Sequence, residues 1–329
     1  MIDITEYGYQ GTAVFPGGDI PARILAAHRD RYELVCAEGV CHGFLRRGHE
    51  FGDVPTTGDF VRITYNPAGD SVIRELLPRK SAFIRTDSWT GKAQAVAANF
   101  DTVLIITSLN SELNPRRLER YIAQACECSA RAAVVLTKLD LCPDPEPLIA
   151  AARAAAGDAP VIPLSSITGE GLDALAPYAA PGMTVALVGS SGVGKSTLTN
   201  ALGGSALMKT GAIREEDAHG RHTTTHRQLI MLDSGVMVID TPGMRNLGLW
   251  DSADGVDSAF SDISALESGC RFRDCTHTGE PGCALIRAAE SGEIDPQRLK
   301  SYLKLRSEAR ASAARLERAR RREKKNGRR

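Results

Sequence analysis

Between Gly11 and Leu77 short apolar runs alternate with turn residues: GTAVF, ARILAA, RYELVCA, VCHGFLR, DFVRITY and SVIRELL are separated by PGGD, HRD, AEG, PTTG and NPAGD. Runs this short, rich in β-branched and aromatic residues and bounded by Gly, Pro, Asn and Asp, read as strands. Five or six of them in about 70 residues predict a small barrel, and an OB-fold fits that count. An SH3-like or other small barrel carries the same signature. From about Ser81 the texture changes. The near-continuous apolar runs TVLIIT, AAVVLT, PVIPLS, TVALVG and VMVID are interleaved with helical segments such as PRRLERYIAQA and PEPLIAAARAAA. Strands apolar on both faces and separated by helices predict a mostly parallel sheet covered on both sides. Asn114 and Pro115 stand at the N-cap and first position of the first helix. After Asp251 the strand pattern stops, and from Pro296 the spacing is helical with a basic exterior.

The chain has 329 residues, 43% hydrophobic and 24% charged, which suits a multidomain globular protein. It has no run of about 18 apolar residues, and MIDITEYGYQGT lacks the parts of a signal peptide, so the expected location is the cytoplasm, with no membrane partner. The formal net charge of zero hides an asymmetry. Residues 300–329 hold 13 Lys+Arg against 3 Asp+Glu, leaving 27 and 37 of the 40 of each for the rest. Such a tail is a solvated helix or disordered arm, or the means by which the protein approaches a polyanion.

Gly189-Ser190-Ser191-Gly192-Val193-Gly194-Lys195-Ser196, followed by Thr197, matches the phosphate-binding pattern, lying between the strand-like TVALV and the helix-compatible STLTNAL. Glycines let backbone N–H groups converge on phosphate oxygens, Lys195 reaches the β and γ phosphates, and Ser196 supplies a hydroxyl to Mg²⁺. Asp240-Thr-Pro-Gly243 follows VMVI, where Asp240 would serve Mg²⁺ and the Gly243 amide would face the γ-phosphate. Between the two, GRHTTTHRQ offers a switch-like polar loop in which Thr223, Thr224 or Thr225 could complete the Mg²⁺ shell.

Thr137-Lys138-Leu139-Asp140 ends an earlier apolar run, and a carboxylate at Asp140 accepts both N1–H and N2–H of guanine, which adenine cannot offer. Ser165 and Ser166 end another strand as a second base-contacting loop. The base-reading loops therefore precede the phosphate loop, the order of a circularly permuted GTPase domain. Loops at one sheet edge meet in space wherever the chain is cut.

The eight cysteines divide. Cys36, Cys41, Cys126, Cys128 and Cys142 read as small packed residues. Cys270, Cys275, His277 and Cys283 supply three thiolates and an imidazole within fourteen positions, sufficient for one closed, structural Zn²⁺ site, with reduced cysteines beside a surface His as the alternative.

With its GSSGVGKST, GRHTTT and DTPG motifs, its barrel, its Cys/His segment, and the stretches QAVAANFDTVLIITS and LNPRRLERYI, the chain resembles the RsgA (YjeQ) family of ribosome small subunit-dependent GTPases over nearly its whole length. The resemblance implies an OB-fold barrel (1–78), a circularly permuted GTPase domain (79–250) and a zinc-binding domain with a basic helical tail (251–329). It implies GTP/GDP and Mg²⁺ at the loops above, and zinc at the Cys/His set. It also implies a monomer acting on the small ribosomal subunit and its rRNA in late maturation. Two departures from common GTPase patterns stand out. Thr137 occupies a position often held by Asn, so inter-loop hydrogen bonds of an amide are expected to be lost. Met244 follows Gly243 where many GTPases carry a water-positioning Gln, so intrinsic hydrolysis should be slow. His222 is the nearest residue able to help, and a hydrated loop histidine is its plainer reading. A nucleotide-gated RNA-binding module is the rival reading, and an ATP-dependent enzyme is disfavoured by Asp140.

Overall fold

The computed structural model describes residues 1–12, 14–28, 31–46, 53–86, 93–110, 113–204, 228–240 and 253–326. Five strands near the N-terminus form the barrel: β1 (Ile20–Ala27), β2 (Tyr32–Cys36), β3 (Gly39–Leu45), β4 (Phe60–Thr64) and β5 (Ser71–Leu76). They pair in the circuit β1-β2-β3-β5-β4-β1, with β3 and β5 parallel and the other neighbours antiparallel. This closed Greek-key circuit is that of the OB-fold. Ala22, Ile24, Leu34, Ile63 and Ile73 fill its interior. The expected strand at GTAVF is absent from the described residues of that stretch, because β1 and β4 close the barrel on each other and leave no edge for a sixth strand.

A hairpin of β6 (Ala82–Thr86) and β7 (Ala93–Ala98) leads into the central sheet. That sheet contains β8 (Thr102–Ser108), β9 (Arg131–Thr137), β10 (Val161–Pro163), β11 (Thr184–Val188), β12 (Gln228–Met231) and β13 (Met237–Asp240) in the order β10-β9-β8-β11-β13-β12. All are parallel except β12. One face packs on α1 (Pro115–Cys126) and α2 (Glu146–Ala156), the other on α3 (Lys195–Gly203) and the turn at Leu172–Leu175. Asn114 caps α1 as expected, its Oδ1 accepting from the Arg117 amide at 3.2 Å.

Beyond a register shift at Ile24/Ala26, β1 runs on to pair Ala26 with Gln228 of β12, so barrel and central sheet share one hydrogen-bonded ribbon. Arg23 crosses the seam. It is 1% exposed and donates to the carbonyls of Tyr7 (2.5 Å), Asn99 (2.8 Å) and Gly58 (3.2 Å), and burial lowers its pKa to about 10. Gly58, at φ +90°, is needed there because a Cβ would collide with the Ala98 carbonyl.

The C-terminal part is helical: α4 (Ala253–Ala259), α5 (Ser261–Ser264), α6 (Ala284–Ser291) and α7 (Pro296–Asn326). Asp295 caps α7 through its bond to the Gln297 amide (2.9 Å), with Pro296 at the first position. Leu299, Tyr302, Leu305 and Ala309 form its buried stripe, in the same hydrophobic cluster as α1, α2 and α4. Buried Arg298 ties α7 to Asp262 (2.9 Å), Glu119 (3.6 Å) and the Ala155 carbonyl (3.2 Å). Burial raises the pKa of Glu119 despite that partner. The basic tail thus continues a docked helix.

Candidate functional site

The phosphate-binding pattern falls between β11 and α3, at the carboxyl edge of the parallel sheet, where ligands of open α/β sheets bind. Gly189 approaches β8 so closely that a Cβ would collide with the Ile106 carbonyl, and Gly194 adopts φ +98° at the helix entry. Lys195 Nζ lies over the loop, donating to the carbonyls of Gly189 (3.0 Å) and Ser190 (2.7 Å). Val193 is buried and anchors the loop, Ser191 and Gly192 are exposed, and Ser196 and Thr197 are partly so in the first turn of α3. The exposed amides and hydroxyls surround the start of a helix, the arrangement that binds phosphate.

Thr137 ends β9 beside this loop. Its hydroxyl, 1% exposed, donates to the Val193 carbonyl at 2.5 Å. Threonine lacks the amide whose inter-loop bonds were expected to be lost, and a short hydroxyl bond joins residues 137–140 to the phosphate-binding pattern in their place. Lys138 turns left-handed (φ 62°) into the turn Leu139–Leu141, which leaves Asp140 exposed. The Leu139 amide donates to the Leu164 carbonyl (3.2 Å), tying the first base loop to the second. There Ser165 is fully buried, its Oγ accepting from the amides of Ile167 (3.2 Å) and Thr168 (3.1 Å). The Ser166 Oγ is buried and has no hydrogen-bond partner among the described residues, an orphaned group that a base or its bridging water would satisfy. The sheet thus brings residues 137–140, 165–166 and 189–197 to one edge.

Asp240 ends β13 in register with Leu187 of β11, two residues before Gly189. That places its backbone beside the phosphate loop. His222, Thr223, Thr224, Gly243 and Met244 lie outside the described residues.

The ligand atoms of Cys270, Cys275, His277 and Cys283 all lie within 4.8 Å of one another. His277 Nδ1 is 3.6 Å from Cys270 Sγ and 3.5 Å from Cys283 Sγ. Bonds of about 2.3 Å to sulfur and 2.0–2.1 Å to nitrogen at tetrahedral angles put such a pair about 3.6 Å apart, so the donor set fits zinc. The other ring nitrogen, Nε2, is 3.2 Å from Glu267 Oε1, which leaves Nδ1 free for a metal. Glu280 knits the intervening loop by accepting from the amides of Thr276 (2.8 Å) and Thr278 (2.9 Å).

Sequence reasoning missed Glu267 and the residues it gathers. Glu267 accepts from Tyr302 (2.8 Å) and from Arg306, linking the Cys/His segment to α7, and Tyr302 also bonds Asp257 of α4 (2.9 Å). It also missed Arg117, whose guanidinium donates to the Ser190 hydroxyl at 3.1 Å. These contacts join residues 35 to 73 positions apart, and no local pattern announces them.

Residues 76–250 match the family model of the RsgA GTPase. The small ribosomal subunit biogenesis GTPase RsgA of Methanosarcina acetivorans is 44% identical over 302 residues, 90% of this chain and 81% of that protein. Its namesake in Streptomyces coelicolor is 44% identical over 298 residues, covering 88% and 81%. Among solved structures, YjeQ from Thermotoga maritima superposes with a TM-score of 0.65 at 25% identity, covering 88% of this chain and 98% of that one. YloQ, a circularly permuted GTPase, shares the fold with a TM-score of 0.64 at 24% identity, covering 92% and 98%. With its loops in permuted order at one sheet edge and relatives of this similarity along most of its length, the chain belongs to the RsgA GTPase family.

Proposed function

We propose that the chain hydrolyses GTP while bound to the small ribosomal subunit, during late maturation of that particle, and that the particle raises its turnover. The observation that carries the reading is the Thr137–Val193 bond, which locks a guanine-selecting loop to a phosphate loop. In this reading Asp140 and Lys138 read guanine, Ser165 and Ser166 line the base, and residues 189–197 hold the phosphates. Lys195 leaves its two carbonyl partners for phosphate oxygens, a stronger, charge-assisted contact. Ser196 and Asp240 would hold Mg²⁺, which when bound offsets phosphate charge. Thr223, Thr224 or Thr225 would complete that shell, His222 would assist the attacking water, and the Gly243 amide would meet the γ-phosphate.

The division into 1–78, 79–250 and 251–329 assigns RNA contact to barrel and tail, nucleotide to the centre, and one structural zinc to Cys270, Cys275, His277 and Cys283. The protein acts as a cytoplasmic monomer. No helix among the described residues is long and apolar enough to cross a membrane.

Retention of small subunits should be higher with a nonhydrolysable GTP analogue than with GDP, and multiple turnover should rise when subunits are added. Unchanged turnover with higher retention by the GTP-analogue form would refute the activation and leave a nucleotide-gated RNA-binding module as the reading; equal retention would refute the nucleotide dependence itself.

A further inference from the structure

Between α1, the first turns of α7 and the phosphate loop lies a cleft of about 680 Å³. Arg116, Arg117 and Arg120 line it from α1, Lys304 from α7, and Ser190 and Ser191 from the phosphate loop. The three arginines recur along one flank of α1, and the ridge of α7 opposite contributes the fourth cation. Among the described residues two of the three arginines have only neutral hydrogen-bond partners. Arg116 bonds the Gln297 amide oxygen (2.7 Å), Arg117 the neutral Ser190 hydroxyl (3.1 Å), and Arg120 the half-exposed Glu308 (2.7 Å). The acid beneath them, Glu119, is buried, where it hydrogen-bonds Ser301 and lies near both Arg298 (3.6 Å) and Arg116. Four cations therefore face one open groove, and among the described residues Glu308, partly exposed, is the one carboxylate ion-paired with them. The groove opens onto α7, which carries 11 Lys+Arg and 3 Asp+Glu between residues 300 and 326.

We infer that this cleft is a docking surface for the sugar-phosphate backbone of RNA on the small subunit, and that Arg117 links its occupancy to the nucleotide site. The inference rests on the small-subunit reading above. A backbone chain of spaced, fully ionised phosphates matches a groove whose cations are spread along two helices and continue down α7, and phosphate contacts need no base-specific partner. Charge-assisted bonds to phosphate outcompete a bond to a serine hydroxyl. RNA in the cleft would thus draw Arg117 from Ser190, whose own carbonyl is held by Lys195. A single side chain would then answer both to the polyanion and to the loop that carries the nucleotide phosphates. By linkage, nucleotide state must then alter affinity for the particle.

The test measures particle affinity of the full-length protein, with GTP analogue and with GDP, across a salt series. Zinc content and melting temperature serve as controls of folding. Arg116→Ala combined with Arg120→Ala and Lys304→Ala should weaken particle binding at least tenfold and flatten the slope of log affinity against log salt by about 2 to 3. Arg117→Ala should bring the ratio of GTP-analogue to GDP affinity towards one, with Arg117→Lys intermediate. A photoreactive residue at position 304 should crosslink to rRNA. If the unaltered protein fails to bind particles, the small-subunit reading itself falls. If it binds and the triple variant binds equally with the same salt slope, the cleft inference alone is overturned. Crosslinks only to ribosomal protein would overturn the RNA assignment, and an unchanged affinity ratio in Arg117→Ala would overturn the link to nucleotide.

Discussion

Thr137→Val tests whether the hydroxyl between the two loops sets nucleotide affinity. Valine keeps the shape, so the change removes one donor from a site that is 1% exposed. The Val193 carbonyl then loses its 2.5 Å partner in a buried setting. An unsatisfied buried carbonyl costs about 1–3 kcal/mol. The added methyl returns at most about 0.8 kcal/mol of apolar burial. The net loss is roughly 0.2–2 kcal/mol, a factor of up to about 30. It should fall mainly on nucleotide binding, because the bond spans two loops that must be held together around one ligand, while strands β9 and β11 keep their own ladders. Titration of a fluorescent GDP analogue should show the dissociation constant rising by that factor, with zinc content unchanged. Thr137→Ser, which retains the donor, should stay within about fourfold of the unaltered protein, since it loses one methyl of about 0.8 kcal/mol. Affinity and melting temperature both unchanged in Thr137→Val would refute the argument that this bond holds the site together.

Gly189→Ala should abolish nucleotide binding measured by the same titration, since the new Cβ collides with the Ile106 carbonyl and the loop must shift. Asp140→Asn should weaken GTP binding by several kcal/mol at most and improve binding of xanthosine triphosphate, read by competition; equal competition by ATP against the unaltered protein would disprove the base-loop assignment. Cys275→Ala should lose zinc by metal analysis and unfold the segment around it while sparing nucleotide binding, whereas Glu267→Gln should retain the metal with about 10–100-fold weaker affinity in a chelator competition. Deleting residues 315–329 should lower particle affinity and its salt dependence, leaving turnover without particles as it was.

The phosphate loop, the five strands of the barrel and the buried strands of the sheet were legible because each is a local pattern, glycines at fixed spacing or apolar runs between turn residues. The Cys/His set was legible for the same reason. The hairpin β6–β7 was not, since AQAVAA carries few β-branched residues, and β12 was hidden at the end of a polar stretch. GTAVF reads as a strand in isolation and is none because the barrel closes without it. Glu267 and Arg117 needed the fold itself: one is a solvent-type residue in a short turn, the other one of three arginines in a helix. At Thr137 the position was noticed but its own bond was not foreseen, because whether a hydroxyl reaches a carbonyl 56 residues away is a matter of tertiary distance.

The order of strands in the central sheet has a consequence for synthesis of the chain. The neighbours β8, β9 and β10 leave the ribosome early and in sequence, and can pair as they appear. The other flank of β8 belongs to β11, whose first residue follows that of β8 by 82 positions. Until then this apolar strand presents an open edge, the state in which nascent chains mispair. The barrel is finished by Leu76, yet its Ala26 waits for Gln228. On the proposed reading the guanine-reading end of the pocket is made before the phosphate-holding end, and the Thr137 hydroxyl marks the moment when the early and late halves of the domain close on each other. A nascent chain halted shortly before residue 184 should carry the base loop without retaining nucleotide, a lag that the unpermuted order would not impose.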